Sequence, residues 1–202
     1  MDPVLSLCLD FANTLSWRGR EQPSEKLTSY AALVAWGRKA RVLTAPEARR
    51  LLDHAKRSPE RATATLEGAI AVRESIYRIF AAVAADGRAP ASDLAILNDA
   101  IRDALGRLKI ASQLRGFEWR WKADTEALDR MLWPVARSAA ELLTSAELEK
   151  IRVCAGTGCG WLFLDHSRNH SRRWCDMRDC GNREKARRHY QRVRETRAGS
   201  ET

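Results

Sequence analysis

Apolar residues recur at helical intervals through most of the first 145 positions. Residues 27–40, LTSYAALVAWGRKA, place Tyr30, Leu33, Val34 and Gly37 on one face, the 3.6-residue period of an amphipathic helix. In TAPEARRLLDHAKRS, Thr44 and Glu47 stand three apart, a capping box that opens a second helix. Ser58 as N-cap and Pro59 in the first turn open a third. Its apolar stripe runs Leu66, Ile70, Val72/Arg73, Ile76, Tyr77, Phe80 and Val83, and Asp86-Gly87 stops it. SDLAILNDAIRDAL predicts a fourth. The period then shortens to two: in LKIASQLRGFEWRW, Phe117, Trp119 and Trp121 alternate after Gly116, which predicts a short β-hairpin. DTEALDRMLWPVARSAAELL returns to helix from an Asp124 cap, with Pro134 expected to kink it. Thr144 and Glu147 read as a second capping box leading straight into the C-terminal part. The expected fold is mainly α. A helical domain with a small hairpin spans 1–148, and a second module spans 149–202. No Gly/Ser-rich linker divides them, so the two should pack together. The closing RAGSET is expected to fray.

Charge separates the two parts more sharply than hydropathy does. The 202 residues carry a formal net charge of +9, yet residues 150–202 hold 13 Lys+Arg against 6 Asp+Glu, and the rest hold 22 against 20. A quarter of the chain thus carries most of the excess, which points to a polyanionic partner, nucleic acid before membrane surface. The opening MDPVLSLCLDFANTL has Asp2 and Asp10 and no basic leader region, so no signal peptide is expected. No apolar run approaches a membrane span. A cytoplasmic protein with reduced thiols is the expectation.

Five cysteines are present: Cys8 alone among apolar residues, and Cys154, Cys159, Cys175 and Cys180 within 27 positions. The four form two Cys-x4-Cys pairs with fifteen residues between them. Sulfur ligands in two short loops suit one structural zinc ion with four Zn–S bonds of about 2.3 Å. Gly156, Gly158 and Gly160 supply the positive φ that a tight metal knuckle needs. WLFLD (161–165) reads as a strand, and GNREKARRHYQRVRE as a helix whose first turn brings the last ligands. That order is the plan of a treble-clef-like finger. Four scattered core cysteines would not match in spacing, and a redox pair would be Cys-x-x-Cys. His166, His170 and His189 are alternative ligands that a four-cysteine shell does not need. Four thiolates close the shell, so the zinc is structural, and its binding supplies on the order of 10 kcal/mol of folding free energy.

Arg152, Arg172, Arg173 and Arg178 stand near enough to neutralise the −2 charge of such a centre, yet the thirteen basic residues exceed what it requires. On a helical wheel Ala186, Tyr190 and Val193 form a narrow apolar stripe, expected to pack on the finger. Arg183, Arg187 and Arg194 flank it, and Lys185, Arg188 and Arg192 fall on the opposite face. Arg168, Arg172 and Arg173 add cations from the loop HSRNHSRRW. Basic residues on two faces of an anchored helix suit phosphate contacts on DNA. A protein or RNA partner and a merely solvated face remain as rivals.

CAGTGCGWLFLDHSRNHSRRWCDMRDCGNREKARRHYQR resembles the CGNR zinc fingers through Cys180, Gly181, Asn182 and Arg183, with the FLDxSRNxxRRWC stretch ahead of them. LCLDFANTL (7–15) and LLTS before the finger resemble the ABATE domain that precedes this finger in bacterial stress-induced transcription regulators. The resemblance implies a DNA-binding regulator with zinc on Cys154, Cys159, Cys175 and Cys180.

The N-terminal domain is larger than support for a finger requires. In LDFANTLSWRG, Asp10, Asn13, Thr14, Trp17 and Arg18 stand close enough to line a polar pocket for a small-molecule effector. The plainer reading is local: Asp10 caps a helix, Asn13 and Thr14 bond within a turn, and Trp17 is core. Trp119, Trp121 and Trp133 read as core or interface. No Ser-His-Asp pattern, Gly-rich phosphate loop or His-rich motif marks an enzyme. The expected partners are double-stranded DNA, a small effector and a second copy in a homodimer, with no membrane.

Overall fold

A computed structural model describes residues 3–122 and 126–198 of the chain. Asp124 and the tail beyond Ala198 lie outside the described residues. Seven helices and three two-stranded antiparallel sheets follow in the order α1 Pro3–Ala12, β1 Leu15–Ser16, β2 Ser24–Glu25, α2 Tyr30–Lys39, α3 Ala45–Arg57, α4 Pro59–Ala84, α5 Ala91–Leu105, β3 Leu108–Gln113, β4 Gly116–Trp121, α6 Leu132–Leu143, β5 Ile151–Val153, β6 Leu162–Leu164 and α7 Asn182–Ala198.

Local signals explain most of the helix starts. Ser29 caps α2 by accepting from Ala32 N–H, and α2 buries Tyr30, Leu33, Val34 and Gly37, the face its sequence marks. Thr44 and Glu47 form the reciprocal capping box of α3. Ser58 is the N-cap of α4 but makes no side-chain cap bond, so Pro59 in the first turn is the stronger start signal there. The α4 stripe buries Val72, Arg73, Ile76 and Phe80 as read, and Ile79 and Ala69 in addition.

Three expectations near the junction are corrected. Helix α6 begins at Leu132 after a turn, so Pro134 is its third residue. A first-turn N–H has no intrahelical acceptor to lose, and Pro134 therefore starts the helix rather than kinking it. Thr144 is the C-cap of α6, its hydroxyl donating to Ala140 O. Ser145 is the residue that caps the following 3₁₀ turn Ala146–Lys150, accepting from Glu147 N–H.

One apolar core runs through both parts of the chain. Helix α6 packs against α1 and α5, and α4 packs against α1, α5 and β5. Phe11, Ile76, Ile79, Phe80, Met131 and Leu142 share the cluster with Ile151, Leu162 and Leu164 of the β5–β6 hairpin. Into it reaches Arg73, 2% exposed, held by both carboxylate oxygens of Glu25 at 2.6 and 2.7 Å and by Glu74 at 2.9 Å. Burial pushes the Glu25 and Glu74 carboxyls up, and the guanidinium bonds of Arg73 and Arg18 more than offset it, so both end below the usual range. The predicted hairpin is β3–β4, in register Ile110↔Trp119 and Leu108↔Trp121. Trp133 is buried against half-buried Trp121, while Ile110, Phe117 and Trp119 stand exposed.

Candidate zinc centre and its basic helix

The β5–β6 hairpin bends around the first cysteine pair. Cys154 N–H donates to Trp161 O at 2.8 Å, closing the ladder, and Cys159 N–H donates to Gly156 O at 2.9 Å inside the knuckle. Gly158 and Gly160 take φ +73° and +69°, the left-handed region that glycine enters without steric penalty. Asp165, fully buried, then accepts from Ser167 N–H, Ser167 hydroxyl and Arg172 N–H, which shapes the loop returning to Cys175. A π-helical turn, Met177–Gly181, sets Cys180 just ahead of α7.

The four sulfurs converge. Every Sγ lies within 4.8 Å of the others, and Cys175 Sγ is 3.7 Å from both Cys159 Sγ and Cys180 Sγ. Tetrahedral ligands about 2.3 Å from one ion stand about 3.8 Å apart, so the spacing fits zinc. The thiols' mutual hydrogen bonding is consistent with the same ion. Hydrogen bonds from the Cys159 and Cys175 thiols and the Cys175 and Gly156 N–H groups pull the Cys154 thiol far below its ordinary value. The same sharing with Cys154 pushes Cys159 up to about 12 and raises Cys175 further. One thiolate is easy here and several are not, unless a divalent ion sits among them. Arg183 adds positive charge by donating to Cys180 Sγ at 2.9 Å. Of the alternative ligands, His166 pairs with Glu147 at 2.8 Å, His170 with Asp165 O at 3.1 Å, and His189 lies exposed on α7 beside Tyr190. Cys154, Cys159, Cys175 and Cys180 form a zinc site, and with no open ligand position the ion is structural. Cys8 is buried in the core, its thiol pushed up to about 12 chiefly by desolvation.

The N-terminal domain supplies the wall around this centre. Arg18 N–H donates to Cys159 O and Gly19 N–H to Gly158 O, both at 3.3 Å. Arg18 itself is fixed by a bidentate pair with Glu74 at 2.7 and 3.0 Å and lies 3.7 Å over the Tyr77 ring. The Trp17 ring meets two guanidiniums, Arg20 at 3.6 Å and Arg183 at 4.3 Å from its centroid. Asn13 exchanges two hydrogen bonds with the backbone of Leu162. Of the five residues read as one polar pocket, Trp17 and Arg18 therefore belong to the seam with the finger, and Asn13 bridges to it. Asp10 lies within α1 and does not cap it. Thr14 is buried, donating to Phe11 O and accepting from Arg73. Asp10, Asn13 and Thr14 also border a cavity of about 500 Å³ with Lys26, Trp36, Lys39 and Trp161.

The nine basic residues read as DNA contacts divide in two. Arg172 folds inward, donating to Trp174 O and Cys175 O and lying over Phe163. Arg183 is held by Cys180, Asp179 and Trp17. Arg187 pairs with Glu184 at 2.9 Å with half its side chain exposed. Arg168, Arg173, Lys185, Arg188, Arg192 and Arg194 are exposed. Among the described residues no carboxylate pairs with these six.

The apolar stripe of α7 does not pack on the finger. Glu184, 9% exposed, accepts from Thr157 N–H at 2.9 Å and Thr157 hydroxyl at 2.7 Å, and this pins the first turn by the opposite side. Those bonds and Arg187 hold the Glu184 carboxyl down at about 2. Tyr190, 69% exposed, and Val193 therefore face solvent. Sequence reasoning missed the Glu184–Thr157 and Asn13–Leu162 contacts. Their partners lie 27 and 149 positions apart, and no periodicity links them.

Comparison with known families follows this division. A family model described as "CGNR zinc finger" matches residues 150–193. The ABATE model, described as "Putative stress-induced transcription regulator", matches residues 5–146. No curated protein matches the chain. Neither family is described as an enzyme. The larger match covers well over half of the sequence, and the chain belongs to the ABATE family, with a CGNR zinc finger at its C-terminal end.

Proposed function

We propose that this protein is a cytoplasmic transcription regulator that binds duplex DNA through the zinc module and α7. Its N-terminal domain senses a small ligand and passes the signal across the seam. The observation that carries the reading is the state of α7. Beyond Glu184 it projects clear of the finger with Lys185, Arg188 and Arg192 on one face and Arg187 and Arg194 on the other. Such a helix presents cations to two phosphate rows at once. The family description, a transcription regulator joined to a zinc finger, supports the same reading. The seam supports the sensing half, because Asn13, Trp17 and Arg18 connect the N-terminal domain to Leu162, Arg183 and Cys159.

The outward stripe of Tyr190 and Val193 favours a second reading, a protein- or RNA-binding module. One experiment separates the two. Binding of the zinc-loaded protein to random duplex DNA is followed by anisotropy across a salt series, with single-stranded RNA as competitor. Duplex binding should win and fall steeply with salt. Replacing Lys185, Arg188 and Arg192 by Ala should lower the slope of log K against log salt by about 2.7, at about 0.9 for each lost phosphate contact. Zinc content should not change. Equal binding of RNA, or an unchanged slope, would sink the DNA reading. Arg183 is unsuitable for this test, because it also touches a zinc ligand.

A further inference from the structure

The cavity beside Asn13 has a chemistry of its own. Its wall is the outer face of α2: Ala32, Ala35, Trp36 and Lys39 follow one another at helical spacing, opposite the buried Tyr30, Leu33, Val34 and Gly37. The alanines leave a flat apolar floor. Trp36 is fixed against Phe11, ring centroids 4.7 Å apart. The lining also includes Trp161, which follows the zinc knuckle and whose carbonyl accepts from Cys154 N–H. Lys26 lies 4.9 Å over the Trp161 ring. Neither Lys26 nor Lys39 forms an ion pair among the described residues, and Asp10 is the one carboxylate in the lining. Lysine therefore exceeds carboxylate by one charge. At about 500 Å³ the space matches ordinary small-molecule sites of about 300–1,000 Å³.

We infer that this cavity binds a small planar aromatic acid, its ring between the Trp36 and Trp161 indoles and its carboxylate at Lys26 and Lys39. Two indole faces select a flat ring. The surplus lysine charge selects an anion and disfavours a cation. Because the Trp161 carbonyl accepts from Cys154 N–H, a ligand that touches Trp161 touches a residue bonded to a zinc ligand. The inference rests on the sensing half of the proposed function and gives its ligand a chemical class.

The test uses the full zinc-loaded chain without DNA. Benzoate and indole-3-acetate are titrated by calorimetry and by tryptophan fluorescence, beside neutral benzamide and cationic tryptamine. The acids should bind at least tenfold more tightly than benzamide, and tryptamine should not bind. Lys26→Met should weaken the acids at least tenfold, Lys26→Arg should restore them, and Ala35→Leu should block them by filling the floor. Both positions lie on the surface and in the cavity wall, and far-ultraviolet dichroism checks that the three variants fold. If tryptamine or benzamide binds as well as the acids, the ligand class is overturned and the sensing reading survives. If none of the four binds at millimolar concentration, the cavity is not the sensing site. If the acids bind equally to the Lys26→Met chain, they bind elsewhere and the inference fails.

Discussion

Asn13 and Leu162 hold each other by two opposed hydrogen bonds, Asn13 Nδ2 donating to Leu162 O at 2.9 Å and Leu162 N–H donating to Asn13 Oδ1 at 3.0 Å. The carboxamide thus does what another strand would do for β6, whose only strand partner among the described residues is β5. Asn13→Ala strands both backbone groups in a partly buried place. Leaving such groups unpaired costs about 1–3 kcal/mol. For a chain of this size each kcal/mol lowers the thermal midpoint by about 2–4 °C. Thermal unfolding followed by dichroism should show a drop of that order. An unchanged midpoint would mean that water replaces the amide without loss.

Trp17 governs a second link. Its ring supports Arg183, which donates to Cys180 Sγ. Loss of groups that orient a metal ligand commonly weakens the metal site by about 10–100-fold. Trp17→Ala should therefore speed zinc transfer to a colorimetric chelator by about tenfold, and Trp17→Phe should recover much of the difference. Equal transfer rates for Ala and the native residue would show that Arg183 needs no support.

Zinc removal should reach beyond the finger. Ile151, Leu162 and Leu164 are buried in the same core as Phe11 and Phe80. Metal analysis should find one zinc per chain. Chelation, or Cys175→Ser, should unravel the knuckle and lower the unfolding midpoint of α1 and α4 along with it. Two separate transitions, with the helical one unmoved, would show that the shared core does not couple the parts.

Arg73 should be among the costliest polar residues to remove. Arg73→Met leaves Glu25 without its cation and Glu74 with Arg18 alone, a loss of about 3 kcal/mol at neutral pH. Both carboxyls are depressed in the folded state. Their contribution is complete above the unfolded value of 4.5 and is lost as pH falls through the lower folded values. The gap in stability between the native chain and Arg73→Met should therefore be constant from pH 7 to about 5 and close in stronger acid. Taking the difference between two zinc-loaded chains cancels the metal's own release. A gap that widened in acid would reverse the argument.

What the sequence disclosed follows from range. The α2 face, the Thr44–Glu47 box and the β3–β4 hairpin depend on residues a few positions apart, where periodicity and capping chemistry decide. The cysteines span farther, yet their types and paired spacing announce a tetrahedral site. Pro134 was misread because a proline is neutral in the first turn and disruptive later, and the start of α6 has no side-chain cap bond to mark it. The α7 stripe was misread for a different reason. Which side of a helix faces inward is settled by what its first turn meets, and here Glu184 meets Thr157. Asn13 looked like a ligand residue because its backbone partner carries no signature in sequence.

The length of α7 beyond that single anchor has a thermodynamic consequence. Among the described residues no hydrogen bond or ion pair ties this 17-residue helix to another element past its first turn, and such a helix is near the limit of what water tolerates. Whatever grips its far end must also stiffen it. Association through α7 should therefore release heat and lose entropy, and truncating the helix should make the association enthalpy smaller and speed dissociation.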